Sequence, residues 1–267
     1  MITAPRVSAF AEELVDWASN GPESELIVTV AWVTRQGAQH TGRHQRYRNE
    51  VLSLRIESSV GSAAVEPGQL VDDAVFACVG RTVRELIRHP VQAVRVAALD
   101  AVTQHARPLA GTSAVVPAGT SVEKSRARAR LVVDLLPAPG DTTCVAVVGV
   151  VNSLLAELRE RGYAYLPCDL KGGHTQWGEE ILRETDAALA QADALLVSGM
   201  TLANGTFDAL LKHARSTGSP LVVFAQTGSG IFPHLLGQGV SAVSAEPYPF
   251  FWLDGNDSRI TLHRSTR

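Results

Sequence analysis

From residue 143 onward the chain alternates between short apolar runs and amphipathic stretches, a regularity few folds can accommodate. CVAVVG reads as a buried strand, SLLAELRERG as a helix, YAYLPCD as a strand, EEILRETDAALAQA as a helix and ALLVSG as a strand. FDALLKHARSTG then reads as a helix, PLVVFAQ as a strand, Phe232 to Leu236 as a short helix and SAVSAE as a strand. Apolar runs bounded by Gly, Asp and Pro are strands covered on both faces, and strand–helix alternation makes their sheet parallel. The expected class is α/β, with a C-terminal Rossmann-like parallel sheet carrying helices on both faces over residues 143–267.

Earlier residues follow another order. A short amphipathic helix, Phe10 to Trp17, precedes two β-rich segments, Leu26 to Val33 and Val51 to Glu57. Helical patterns over Leu70 to Ile87 and Val91 to His105 follow, separated by Arg88-His89-Pro90 as a stop. Strands first and helices after predict a smaller α+β domain over residues 1–110. Residues 111–142, bracketed by Pro and Gly, read as a linker with a connecting helix from Ser121 to Leu136. Within it Arg126, Arg128 and Arg130 are spaced two apart. They suggest an anion site, but residues two apart do not share a helix face, so solvated arginines are the expectation.

Composition excludes several classes. The chain has 267 residues, 45% of them hydrophobic, which is ample for a buried core. A net charge of -3 leaves no electrostatic footprint for nucleic acid or an anionic membrane. Cys78, Cys144 and Cys168 are odd in number and form no CxxC pair, which argues against a disulfide framework or a thiolate zinc site. The opening MITAPRVSAFAEELVDW lacks the apolar core of a signal peptide, and no run approaches the ~18 apolar residues of a membrane span. The expectation is a cytoplasmic protein whose partner is a small molecule or metal ion, with no nucleic acid and no membrane.

In a doubly wound sheet the ligand sits beyond the carboxyl ends of the strands. The first such loop, GVVNS, has Gly149 alone of the three glycines in a dinucleotide fingerprint. Asp169 ends the second strand where a ribose-binding acid would stand, but neither NAD nor FAD is expected. Asn152 or Ser153 is placed to cap the following helix.

The second loop, CDLKGGHTQWGEE, is densest in chemical groups. Cys168, Asp169, His174, Glu179 and Glu180 are types that ligate a divalent transition metal, and His174 with Glu180 could act as base and acid. The plainer reading is a glycine-rich loop whose Thr175 caps a helix carrying both glutamates in its first turn. The third loop offers Thr201, Asn204, Gly205 and Thr206 at a helix N-terminus suited to an anion, with Asn204 as the cap. In the fourth, Gln226, Thr227, Gly228, Ser229 and Gly230 could form an anion-holding nest or a flexible connection. Beyond it Tyr248, Phe250, Phe251 and Trp252 read as a cluster packed on the body or on a second subunit, in an expected homodimer.

Ser198-Gly199, Thr201-Leu202, Asn204-Gly205-Thr206, Pro233 and Leu235-Leu236-Gly237-Gln238-Gly239-Val240 together resemble the Rossmann-like family named for putative heavy-metal chelation. Members carry an N-terminal domain similar to that of enolase, which the order of elements before residue 107 resembles. At the fourth loop the family has Gly-Pro-Ser where this chain has Gln226-Thr227-Gly228-Ser229, and Asp100 stands where it often has asparagine.

The resemblance implies a cleft between two domains, and two readings stay open for it. In one, the cleft binds a metal ion or small metal-chelating metabolite. Its metal ligands are Asp169, His174 and Glu180, with Glu246 less clear. In the other, an enzyme acts on a small polar or amino-acid-like metabolite, with His174 as acid/base. Gly149, Asn152, Asp169, Thr201, Asn204, Gly205, Thr206, Gln226, Thr227 and Ser229 are the candidate ligand-binding residues in either.

Overall fold

The computed structural model describes residues 11–39, 46–66, 68–140 and 143–265. Two sheets organise them. The small one is an antiparallel meander of β1 (Val30–Ala38), β2 (Tyr47–Ile56) and β3 (Ser59–Val65). Four helices accompany it: α1 (Glu12–Asn20), α2 (Asp72–Phe76), α3 (Val83–Ile87) and α4 (Gln92–Ala106). The strands-then-helices order is as expected, with differences of detail. Phe10, the expected start of the first helix, lies outside the described residues. The long helix expected from Leu70 to Ile87 is two short ones, because the chain turns at Gly80 with φ 78° before the Thr82–Glu85 capping box opens α3. Strand β3 carries two serines and a glycine, so its apolar pattern is too weak to read from sequence.

Helix α4 is buried on every side from Ala93 to Thr103. It packs on β3 so closely that a Cβ at Gly61 would lie 2.1 Å from the Ala101 nitrogen. Only glycine permits that approach.

The large sheet has the order β4-β10-β9-β8-β7-β5-β6. Its parallel part comprises β5 (Cys144–Val148), β6 (Ala164–Cys168), β7 (Ala194–Ser198), β8 (Leu221–Ala225) and β9 (Ala242–Ala245). Read in chain order these strands lie 2-1-3-4-5, the flavodoxin-like variant of the doubly wound sheet. Two antiparallel strands extend it: β10 (Ser258–Arg264) pairs with β9, and β4 (Thr112–Val116) with β10. Thus residues 112–116, inside the stretch read as linker, pair within the sheet, and α5 (Ser121–Val133) follows them.

Alternate residues of each parallel strand feed opposite cores. Val145, Val147, Leu196 and Val222 meet Leu154, Leu155 and Leu158 of α6 (Asn152–Glu160) together with α5. Ala146, Val148, Leu195, Val197 and Val223 face the other side. There they share one cluster with α8 (Met200–Asn204), α9 (Phe207–Thr217), α4 and the small sheet. That shared core fixes the small sheet over one end of the large one. Among the described residues no helix is long and apolar enough to cross a membrane.

The helix expected over EEILRETDAALAQA is corrected to a single turn, α7 (Asp186–Leu189). Strand β6 is the sheet's edge, and its free backbone groups recruit the segment instead. Leu182 N–H donates to the Pro167 carbonyl at 2.9 Å, and Asp169 N–H to the Leu182 carbonyl at 2.9 Å. Gly178, at φ 82°, closes a turn that a helix could not follow.

Candidate functional site

Strand order reverses between β5 and β7, so the loops leaving their carboxyl ends diverge and open a crevice. A cavity of about 120 Å³ lies there. The large sheet supplies one wall through Val151, Ser198, Met200, Phe224, Gln226 and Thr227. The small sheet supplies the facing wall through Gln36, Ala38, Tyr47, Asn49, Val51 and Ala64. Ser125 and Arg128 of α5 line one side, with Phe251 and Trp252 from the segment after β9. The aromatic cluster is therefore divided in role. Tyr248 packs edge-on against Trp32 of the small sheet, with centroids 5.2 Å apart, while Phe251 and Trp252 line the cavity.

Arg128 overturns the expectation for its helix. The Thr120–Glu123 capping box sets the start of α5, and from there Lys124, Ser125, Arg128 and Ala129 fall on the inner face. Arg126 and Arg130 are exposed, while Arg128 is 4% exposed. Its Nε donates to Glu246 Oε1 at 2.9 Å, and Ser244 Oγ donates to the same oxygen at 2.8 Å. The guanidinium carbon stands 4.8 Å from the Phe224 ring centroid and 5.7 Å from that of Phe251. Its Nη groups have no hydrogen-bond partner among the described residues, and the residue lines the cavity. One turn earlier, Lys124 Nζ donates to the Asp254 carbonyl at 3.2 Å and Ser258 Oγ at 3.0 Å, tying down the return from Trp252.

Further polar atoms at the cavity are buried without partners. These are Thr227 Oγ1, Trp252 Nε1 and Gln36 Oε1. Glu246 Oε2, beside Arg128, is also unpaired. An unsatisfied buried polar group costs about 1–3 kcal/mol, a cost that a hydrogen-bonding partner at these atoms would relieve.

Of the candidate ligand-binding residues, Gln226 and Thr227 line this cavity. Gly149, Asn152, Asp169 and Thr201 shape the loops around it. Gly149, at φ 91°, lets the β5 loop pass Ser198, whose Cβ would be 2.5 Å from an added Cβ. Asn152 is buried at the start of α6, where its backbone N–H meets the Tyr47 hydroxyl at 3.3 Å. Asp169 accepts from Lys171 N–H at 3.0 Å and Val150 N–H at 3.3 Å. It therefore shapes two loops. Thr201 returns its hydroxyl to the Ser198 carbonyl at 2.7 Å.

The reading of Asn204 as an N-cap is corrected: it ends α8, and Gly205 follows at φ 80°. Its Oδ1 takes the Thr206 hydroxyl at 2.7 Å and backbone N–H at 3.1 Å, so it braces the kink between two helices. The helix begins directly after β7, which leaves no open loop for a cap. Ser229 accepts from Gln104 of α4 at 3.3 Å, and Gly230 N–H donates to Asp100 at 2.7 Å, so the fourth loop is pinned rather than free.

The second loop folds on itself. Thr175 Oγ1 caps a turn by accepting from Trp177 and Glu179 N–H, not a helix. Glu179 is held by Arg159 at 2.7 Å and by the Tyr165 hydroxyl at 2.6 Å. His174 and Glu180 are exposed and paired to each other through the backbone. Neither lines the cavity. Among the described residues no three His, Cys, Asp or Glu side chains group as a metal would require, so Asp169, His174 and Glu180 do not converge. Burial pushes the Cys168 thiol up to about 11, which keeps it protonated at neutral pH.

The fold and cavity define a doubly wound α/β protein whose crevice is covered by a small antiparallel sheet. Residues 132–244 match the DUF364 family, described as "Putative heavy-metal chelation". Among solved structures, the chain is similar to a DUF364 protein of unknown function from Desulfitobacterium hafniense. The TM-score is 0.59 at 13% identity, over 93% of this chain and 97% of that one. It is also similar to a DUF364 protein of unknown function from Pyrococcus horikoshii. There the TM-score is 0.52 at 15% identity, over 89% and 85% of the two chains. At such identities the likeness establishes the fold. No curated protein matches the chain.

Proposed function

We propose that the protein binds a small polar metabolite with metal-chelating groups in the cavity between the two sheets, a divalent transition metal arriving with that ligand. The observation that carries this reading is the set of buried, unpartnered polar atoms, Thr227 Oγ1, Trp252 Nε1 and Gln36 Oε1, around one cavity at the strand-order switch. Binding sites combine apolar walls with a few convergent polar groups, and this cavity has both. Chelation enters from the family description. The donor set bears on how the metal is held. Asp169 is engaged by backbone N–H groups, and His174 and Glu180 stand outside the cavity, so among the described residues these side chains do not group to hold a bare ion.

The test is calorimetric titration of tag-free protein with Ni²⁺ and Zn²⁺ alone, with picolinate and histidine alone, and with each metal–ligand complex. The organic ligand or its complex should bind saturably, more tightly than bare metal. Stoichiometric binding of bare metal, lost in His174→Ala, would overturn the reading.

A further inference from the structure

We infer that Arg128 is the anchor for a single carboxylate, so that the cavity selects small monocarboxylates over phosphates and over neutral isosteres. The inference rests on the cavity-binding reading above and names the ligand class. Glu246 engages Arg128 at Nε, which commits one edge of the guanidinium to the protein. The remaining edge presents Nη1 and Nη2 side by side, the fork that matches the two oxygens of a carboxylate. Phe224 and Phe251 stack on the guanidinium and fix the plane of that fork.

Charge sets the class further. Among the described residues lining the cavity Arg128 is the one that carries a charge, and Glu246 behind it already offsets part of that charge. A phosphate dianion would need a second cation, whereas a carboxylate needs one partner and neutral donors. Thr227 Oγ1 and Trp252 Nε1 are such donors, both buried and unpaired. Apolar walls from Val51, Ala64 and Met200 leave room for a short carbon body.

The experiment titrates the full chain with picolinate and picolinamide, glycolate and glycolamide, and inorganic phosphate, and repeats the series on Arg128→Lys. The lysine keeps a charge for Glu246 and loses the fork. A carboxylate should bind about tenfold or more tightly than its amide, phosphate should not compete, and Arg128→Lys should abolish the preference. Equal binding of acid and amide, or a preference unchanged in Arg128→Lys, overturns the inference and leaves the cavity reading standing. Phosphate binding without carboxylate binding does the same. Binding by none of the probes overturns both. Should Arg128→Lys fail to fold, the acid–amide comparison on the unaltered protein and on Thr227→Val decides, since Thr227→Val should weaken the acid.

Discussion

Arg128 Nε and Glu246 Oε1 meet at 2.9 Å, with the two side chains only 4% and 1% exposed. A buried pair of this kind is weak evidence for stability in itself, because both charges have lost their water. Breaking it is another matter. Glu246→Ala strands the guanidinium and should lower stability by about 3–5 kcal/mol, measured by chemical denaturation. The double variant Arg128→Met with Glu246→Gln removes both charges and should cost clearly less than the sum of the two single changes. Additive losses would show that the pair is not a coupled unit.

Thr227→Val separates binding from stability. The Thr227 hydroxyl is buried without a partner, so replacing it by a methyl of the same shape should leave stability unchanged or raise it by about 1 kcal/mol. Carboxylate affinity should fall in the same variant. A loss of stability instead would assign the hydroxyl a structural partner.

Asp100 joins α4 to both sheets: its carboxylate accepts from Ser62 N–H at 2.8 Å and Gly230 N–H at 2.7 Å. Asp100→Ala orphans both donors and should cost about 2–5 kcal/mol. Burial pushes the Asp100 carboxyl from 3.8 up to about 7, against the opposing pull of these hydrogen bonds. The native state therefore holds this proton over a range in which the unfolded chain has released it. Stability from this group is fully present below the unfolded value and declines as pH rises through the folded one. The stability difference between the unaltered protein and Asp100→Asn should fall between about pH 4 and 7, and a flat difference would contradict the account.

Gly61→Ala should be among the most damaging single changes. The added methyl would sit 2.1 Å from the Ala101 nitrogen and 2.2 Å from the Ala97 carbonyl oxygen, backbone atoms of a helix buried on every side. Separating α4 from β3 should cost about 3 kcal/mol or more and widen the cavity, whose facing wall β3 helps to build. Unchanged thermal stability would show that the close approach is not obligatory.

His174→Ala should change neither stability nor carboxylate binding measurably, because His174 is exposed and outside the cavity. Loss of ligand binding in that variant would return the second loop to the site.

The parallel sheet was legible because its strands are uniform apolar runs, such as Leu195-Leu196-Val197, separated by amphipathic helices like α9. Gln226 and Thr227 on the large-sheet wall were legible for the same reason, since they must follow β8 wherever the sheet ends, whereas the small-sheet wall was not. Arg128 was not. Its two arginine neighbours at i±2 are exposed, and helix periodicity alone cannot say which of three alternating arginines turns inward. Its partner Glu246 lies 118 residues away. The unread strands β3, β4 and β10 are short or rich in serine and threonine, and their places depend on pairing rather than on their own pattern. The stretch EEILRETDAALAQA, residues 179–192, misled in the other direction. Their helical spacing is real, but the open edge of β6 offers backbone partners that outweigh it.

The most direct measurement is a crystal structure of the protein soaked with whichever carboxylate binds most tightly. The account predicts that the ligand's carboxylate lies flat against the two Nη groups of Arg128, within hydrogen-bond reach of Thr227 and Trp252. A ligand bound at the His174–Glu180 loop, or one in the cavity with its carboxylate turned away from Arg128, would contradict it.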